Sequence, residues 1–166
     1  KDGRLEIWRS ISLLAEYLET KTQFFIRSIQ YDYDAQLYTI TALSALCLLD
    51  RRIIAYDTGT SYSDKFGWPA TLIYLYVNEN LGSAVTDSAR SWTNYITVPA
   101  VPLDTFSSTQ WQQSRKNLLS TIQDIAQDSA QNDAPLFFDL EYDPGSKLFT
   151  FLTYTQQRGI DHSTGQ

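Results

Sequence analysis

The chain has 166 residues, of which 43% are hydrophobic and 19% are charged, a composition typical of folded globular proteins rather than disordered segments. Its formal net charge of -6 opposes binding to a phosphate backbone, which needs clustered Lys and Arg to displace counterions, so no nucleic-acid partner is expected. No apolar run approaches the roughly 20 residues of a transmembrane helix, so no membrane-spanning segment is expected either.

The first third of the sequence predicts β-strands. Residues 5–9 come close to an alternation of apolar and polar side chains. Segments 24–33 and 37–42 flank a short connection at residues 34–36, which is typical of a β-hairpin. We therefore expect an antiparallel hairpin across residues 24–42.

The predicted hairpin has one apolar face. Ile29, Tyr31 and Tyr33 fall on one side of its first strand, while Gln30 and Asp32 point to the other side. Such alternation is typical of an antiparallel sheet that has one face on the core and the other in water. We therefore expect this sheet to be half-buried.

A boundary is predicted after this hairpin. Residues 44–50 form an apolar run that predicts one or two helical turns, and residues 52–56 predict a further strand. So short a run cannot be assigned by periodicity alone. Residues 57–67 are rich in Thr, Ser, Gly and Asp, a composition typical of a loop. We therefore divide the chain into a β-rich, barrel-like portion at 1–56 and an α+β module at 57–166.

Two helices are predicted in the second module. Pro69 in the first turn and Gly82 just past the end bound a helix over residues 70–81, in keeping with the positions these residues favour. The second helix has an apolar stripe at helical spacing, formed by Leu118, Ile122, Ile125 and Ala126 and widened by Leu119. Upstream of it, Thr109 and Gln112 have the spacing of a capping box.

A C-terminal hairpin is predicted around residues 143–146. Four apolar residues share one face of its first strand: Leu136, Phe138, Leu140 and Tyr142. The polar residues between them take the other face, and residues 147–154 predict the returning strand. Pro144 at the second turn position and Gly145 at the third favour a type II turn, in which the third position has φ > 0.

Carboxylates occur in two small groups, which are Asp32 with Asp34, and Asp139 with Glu141 and Asp143. Period-2 spacing lets each group share a strand face, which is compatible with an acid/base pair or an oxygen-rich cation site. Both groups also flank predicted turns, where turn-forming Asp and a solvated polar face are expected. We adopt the second interpretation, so no metal or cofactor site is predicted.

The chain has one cysteine and one histidine. Cys47 lies in an apolar run, which favours a buried small hydrophobe over an activated nucleophile. His162 lies in a polar tail between Asp161 and Ser163, but a mobile tail cannot hold a base within reach of a nucleophile. No phosphate-binding glycine loop, paired Cys motif or His-Glu-x-x-His element occurs. We therefore predict no catalytic residues and no enzymatic activity.

Arg51 and Arg52, directly after Asp50, form the one basic doublet at the entrance of a predicted strand. The doublet is suited either to pairing with a carboxylate across an interface or to a salt bridge within the chain. Five aromatic residues of the second module are candidates for an interaction surface or for the core: Tyr74, Tyr76, Trp92, Tyr95 and Trp111.

Several short motifs occur in an order that resembles a known protein family. They are FIRSIQY at residues 25–31, YTITAL at 38–43, LLDRRII at 48–54, YVNENL at 76–81, NLLSTI at 117–122 and FFDLE at 137–141. In this order they resemble the strands and helices of the siphovirus gene-product-thirty-seven-like tail proteins. The likeness spans roughly residues 4 to 160.

The resemblance implies a structural component of a phage tail tip or baseplate hub. The fold it implies is α+β, with an antiparallel β-barrel-like portion, an α+β insertion of two main helices, and a C-terminal β-hairpin. It also implies other tail or baseplate proteins as partners, a homotrimer, and a place in the virion after synthesis in the bacterial host cytoplasm. Because the chain opens on Lys1 and contains no Met, we expect a piece of a larger polypeptide.

Two other functions stay open. A carbohydrate or cell-surface binding module would stack exposed Tyr and Trp on sugars, with the acidic residues at 139–143 acting through a cation. A small hydrolase would need two of these carboxyl groups at catalytic separation in a pocket. Assembly with other proteins is the function we predict, because exposed strand edges seek partners.

Overall fold

The computed structural model describes residues 3–10, 16–19, 23–57, 59–99 and 107–155, and the statements below concern these residues. Its strands are β1 (Arg4–Leu5), β2 (Trp8–Arg9), β3 (Tyr17–Leu18), β4 (Phe24–Asp32), β5 (Leu37–Ser44), β6 (Ser63–Gly67), β7 (Ile96–Thr97), β8 (Thr109–Gln113), β9 (Phe137–Asp143) and β10 (Leu148–Tyr154). Its helices are α1 (Cys47–Asp50), α2 (Pro69–Asn80) and α3 (Leu118–Gln131), and a single 3-10 turn covers Ser88–Arg90.

In the described part of the chain the strands form four small sheets, so the fold is mixed α+β, as predicted. The strand orders are β1-β4-β5, β7-β10-β9, β2-β3 and β6-β8. None of these sheets closes on itself, and the expected barrel-like portion is therefore not found. A barrel requires every strand to have a neighbour on both sides, whereas β5 pairs with β4 alone and β1 covers only two residues of β4. The division of the chain after residue 56 stays a prediction.

Helix α2 forms where the sequence predicts it. Pro69 takes the first helical position and needs no hydrogen-bond partner for its missing N–H. Gly82 follows the helix because a Cβ at this position would lie 2.1 Å from Oδ1 of Asn78. That oxygen accepts a hydrogen bond from the backbone N–H of Ser83, so the close approach of the chain to Asn78 requires glycine.

Helix α3 has the predicted apolar stripe but a different N-cap. Leu118, Ile122 and Ile125 are buried in the core, as helical spacing indicates. The side chain of Asn117 caps the helix by accepting a hydrogen bond from the backbone N–H of Ser120. The capping box predicted for Thr109 and Gln112 is wrong, because these two residues lie in strand β8.

The core lies between the two long helices and the C-terminal hairpin. Most of its fully buried large side chains come from α2, α3, β9 and β10, among them Leu72, Ile73, Tyr76, Leu118, Ile122, Leu140 and Phe151. The hydroxyl of Tyr76 donates a hydrogen bond to the backbone carbonyl of Trp111 at 2.7 Å. Burial raises the pKa of Tyr76, so the neutral hydroxyl joins α2 to β8.

Two predictions for the middle of the chain are wrong. Residues 52–56 do not form a strand, and Ile53 makes a single antiparallel bridge to Asn117. The loop predicted for 57–67 contains strand β6, which pairs along its whole length with β8. Both pairings join residues more than 40 positions apart, and a local pattern carries no information on such partners.

The two long hairpins use the same turn. Asp32 and Asp143 each end a strand and each pair with a leucine five residues later. Oδ1 of Asp32 accepts hydrogen bonds from two backbone N–H groups of its own turn, and the Asp143 carboxylate does the same in the second hairpin. The last turn residue has positive φ in both, 52° at Gln36 and 60° at Lys147. The type II turn predicted at Gly145 is wrong, because Gly145 does not have positive φ and Lys147 does.

Glycine at the last turn position is expected to stabilise the C-terminal hairpin. A side chain at positive φ costs about 1 kcal/mol that glycine does not incur. We expect Lys147→Gly to exceed Lys147→Ala in free energy of unfolding by about 1 kcal/mol, since both remove the same charge. Urea denaturation of the two variants measures this difference. Equal stabilities would contradict the left-handed assignment of Lys147.

Candidate functional site

The most exposed part of the described chain is the far end of the first hairpin. All residues from 27 to 41 are exposed, and we call this segment the arm. Strand β1 pairs with β4 only at Phe24 and Phe25. Both outer edges of the arm are therefore without a neighbouring strand in the described structure, and such edges present unpaired backbone N–H and C=O groups.

One face of the arm is apolar. Ile29 lies opposite Ile40, and Tyr31 lies opposite Tyr38, so these four side chains share a face. The ring of Tyr31 contacts Tyr38 at 4.6 Å and the edge of Tyr33 at 4.7 Å between centroids. The predicted alternation is confirmed. The predicted half-burial is wrong, because no element of the described structure covers this face.

A β-bulge sets the direction of the apolar face. The register between β4 and β5 shifts at Arg27, which is an extra residue on β4. One extra residue turns every later side chain of a strand to the opposite face. Phe25 packs on Phe149 of the core at 5.7 Å between ring centroids, whereas Ile29 falls on the other face. The apolar face is thus the reverse of the one that contacts the body at the arm's root.

Carboxylates of both acidic groups are engaged by local hydrogen bonds and do not converge on one site. Asp32 and Asp143 are occupied by their turns, and the hydrogen bonds from Ser146 and Gly145 lower the pKa of Asp143. Oε1 of Glu141 accepts a hydrogen bond from the hydroxyl of Tyr154 at 2.8 Å. Among the described residues, no three His, Cys, Asp or Glu side chains come together in a way that suits a metal ion.

Cys47 lies at the root of the arm and is half-buried rather than buried. Its Sγ accepts a hydrogen bond from Nη2 of Arg27 at 3.0 Å. The apolar sequence around Cys47 gives no sign of this cation, because the arm brings it from 20 residues away. His162, with Asp161 and Ser163, lies outside the described residues.

A second surface is a cleft of about 690 Å³ beside the end of α2. We call it the arginine cleft, because its lining holds four arginines and two carboxylates: Arg51, Arg52, Arg90, Arg115, Glu79 and Asp87. Its apolar lining includes Ile53 and Tyr56, which are 50% and 59% exposed. In a chain of net charge -6, the cleft is a local concentration of positive charge next to exposed apolar groups.

Buried Asn80 organises the arginine cleft. Its Oδ1 accepts hydrogen bonds from the backbone N–H of Ala55 at 2.9 Å and from Nη2 of Arg90 at 3.1 Å. Arg90 also donates to the carbonyl of Ile53 at 2.7 Å. These bonds join one wall, formed by residues 51–56, to the end of α2 that carries Asn80.

The guanidinium of Arg52 is held by neutral groups. Its Nη2 donates to the carbonyl of Arg90 at 2.9 Å, and its Cζ lies 4.2 Å from the centroid of the Trp92 ring. Nε of Arg52 is buried and finds no hydrogen-bond acceptor in the part of the chain that the structure describes. Burial and the nearby charge of Arg90 lower the pKa of Arg52. Of the two alternatives predicted for the doublet, a salt bridge within the chain is not found for Arg52 among the described residues, and its guanidinium instead contacts a backbone carbonyl and an aromatic ring.

Next to the cleft, Lys65 bridges two carboxylates. Its Nζ lies 2.9 Å from Oδ1 of Asp57 and 2.8 Å from Oε2 of Glu79. Burial alone would lower the pKa of Lys65, but the hydrogen bonds to Glu79 and Asp57 outweigh burial and raise it. Burial alone would raise the pKa of Asp57, but the bonds from Lys65 and from the N–H of Asp64 outweigh it and lower it.

This cluster predicts a pH dependence of stability. The Asp57 carboxylate has a lowered pKa in the folded chain, so its contribution is complete above the unfolded value of about 3.9 and is lost at lower pH. We expect Asp57→Asn to cost about 1 kcal/mol or less at neutral pH, because the pair is partly exposed. Urea denaturation of both proteins from pH 7 to pH 2 measures the difference. A difference in stability that stays constant with pH would contradict the lowered pKa of Asp57.

The five candidate aromatic residues do not form one surface. Tyr74 and Tyr76 are buried, Trp92 and Trp111 are half-buried, and Tyr95 is 65% exposed. Sequence reasoning missed the arginine cleft, because its residues come from three segments separated by 20 or more positions. For the arm, the sequence signal was the alternation that places Ile29, Tyr31, Tyr38 and Ile40 on one face of the predicted hairpin.

None of the helices in the described residues is both long and apolar enough to cross a membrane. No family model matches the chain, and no curated protein or solved structure matches it either.

Proposed function

We propose that the chain is a structural module that works by assembling with other protein chains through the arm. The observation that carries the proposal is the arm's apolar face, on which Ile29, Tyr38 and Ile40 are 58%, 65% and 48% exposed. A contiguous exposed apolar surface typically marks a site of protein interaction.

The open edges of the arm support the same function. A two-stranded hairpin is marginally stable in water by itself, and a third strand or a covering element stabilises it. A partner that adds a strand to an edge of the arm would gain main-chain hydrogen bonds and cover the apolar face. The bulge at Arg27 directs that face away from the body's own core, which leaves it accessible to a partner.

The setting we propose is a phage tail tip or baseplate hub in the virion. Other tail proteins and further copies of this chain are the proposed partners, and a homotrimeric ring is the proposed assembly. The order of the motifs between residues 4 and 160 supports this setting, because it resembles that of the siphovirus tail proteins. The role proposed for the chain is non-enzymatic.

Self-association of the purified chain tests the proposed function. Sedimentation velocity and light scattering over a wide range of protein concentration are expected to show a discrete oligomer that forms as concentration rises. A chain that stays monomeric at every concentration would contradict the proposal.

A carbohydrate-binding alternative draws on the three tyrosines at the end of the arm. Tyr33 and Tyr38 are 83% and 65% exposed, and exposed aromatic rings can stack on sugars. The hydrogen bonds of Glu141 and Asp143 within the body leave the calcium part of this alternative without structural support. A glycan array with and without calcium separates the two functions, since assembly predicts no glycan signal in either condition.

A further inference from the structure

Two surfaces of the chain carry opposite charges, and both also expose apolar side chains. The arm carries two acidic residues at its turn, Asp32 and Asp34, while its basic residue Arg27 lies at the root beside Cys47. The arginine cleft presents four arginines against two carboxylates. We propose that the arm of one copy docks into the arginine cleft of a second copy; this inference rests on the proposed function and names the partner.

Opposite charges are the first reason to expect the arm to dock into the cleft. The carboxylates of Asp32 and Asp34 meet guanidinium groups, which form the strongest hydrogen bonds that carboxylates make in proteins. Within the cleft, the side chains of Arg51 and Arg115 are exposed. Like charges collected in the cleft repel one another, and an acidic turn relieves this repulsion.

Apolar side chains on both surfaces are the second reason to expect this docking. The arm places Tyr31 and Tyr38 directly behind its acidic turn, and the cleft exposes Ile53 and Tyr56 beside its arginines. In the docked arrangement the acidic turn of the arm contacts the arginines of the cleft. The apolar face of the arm then contacts the apolar side chains beside those arginines. Aromatic residues and arginine are the groups most enriched at the centre of protein interfaces.

The cleft is not occupied by the arm of the same chain. Every residue of the arm is exposed, and none of them lines the cleft, so the arm does not fill the cleft of its own chain. Because arm and cleft are different surfaces, the contact is head-to-tail. Contacts of this kind close into a ring when the rotation permits and otherwise extend into a filament.

Charge reversal tests the inference on both surfaces. We expect Asp34→Lys and Arg115→Glu each to weaken self-association about tenfold or more in sedimentation velocity, because like charges then face each other. The double variant is expected to regain most of the lost affinity. Asp34 is chosen instead of Asp32, since the Asp32 carboxylate holds the turn.

Lys147→Glu is the matched control for Arg115→Glu. Both residues are exposed and basic and have positive φ, and both reversals change the net charge equally. The control is expected to associate like the wild type; a loss equal to that of Arg115→Glu would overturn the inference. A double variant no better than the single variants would overturn it as well.

The proposed function and this inference fail in different ways. If the charge variants all associate like the wild type while Ile29→Thr/Ile40→Thr abolishes association, the arm assembles but does not use the cleft. If the wild type is monomeric throughout, the proposed function itself is contradicted.

Discussion

Replacing Phe151 with alanine is expected to lower the free energy of unfolding by about 3–5 kcal/mol. Phe151 is fully buried on β10. Its ring packs edge-to-face on Tyr74 of α2, at 5.4 Å between centroids, and against Phe138 at 6.3 Å. Removing the ring leaves a cavity between the C-terminal hairpin and α2, and both elements lose contacts on which the core depends.

Phe137→Ala is the matched control, because Phe137 lies on β9 of the same hairpin and is 53% exposed. We expect its cost to be about 0.5 kcal/mol or less, as for surface substitutions elsewhere. Urea denaturation followed by circular dichroism measures both variants. Similar losses for the two would contradict the arrangement of the hairpin, in which position 151 faces the core and position 137 faces water.

Replacing both isoleucines of the arm with threonine is expected to weaken self-association at least about thirtyfold. Ile29 and Ile40 form one cross-strand pair on the apolar face, and each loses about 1 kcal/mol or more of transfer free energy when its apolar surface is no longer buried by a partner. Threonine keeps the β-branched shape that strands favour. Ile29→Thr/Ile40→Thr should therefore retain the hairpin and lose the contact.

Sedimentation velocity measures this loss, and the opposite face of the arm provides the control. Gln30 and Thr39 form the adjacent cross-strand pair, and Gln30→Thr/Thr39→Gln exchanges them without changing composition. This control is expected to associate like the wild type. A control that loses as much affinity as the isoleucine variant would show that the two faces are not distinct.

Local elements of the fold are predictable from sequence. Helix α2 begins at Pro69, helix α3 carries its stripe at Leu118, Ile122 and Ile125, and both long hairpins alternate along their strands. In each case the signal lies within a dozen neighbouring residues, because the element's own period places its apolar side chains on one face.

Pairings between distant segments are not predictable in this way. Strand β8 is composed mostly of polar residues, and its partner β6 lies about 46 residues earlier, so neither segment alone indicates a strand. The bridge between Ile53 and Asn117 joins residues still farther apart along the chain. Where the barrel-like portion was expected, β5 and most of β4 have no second neighbouring strand among the described residues.

The arm and the arginine cleft depend on features of the structure that hydrophobic periodicity in the sequence does not predict. Alternation predicts that Ile29 and Tyr31 share a face, but the bulge at Arg27 decides which way that face points. A half-buried hairpin and a projecting arm have the same pattern, since they differ in what lies over the apolar face. The arginine cleft needs the hydrogen bonds of Asn80 to bring Arg90 beside residues 51–56.

Hydrogen exchange shows whether the arm makes the contact between copies, because it locates the contact within the chain. Amides of residues 28–41 are expected to exchange more slowly as protein concentration rises, since a docked arm has covered edges and frays less. Amides of α3 should show no such dependence on concentration. Arm amides that exchange at the same rate at the lowest and highest concentrations would contradict assembly through the arm.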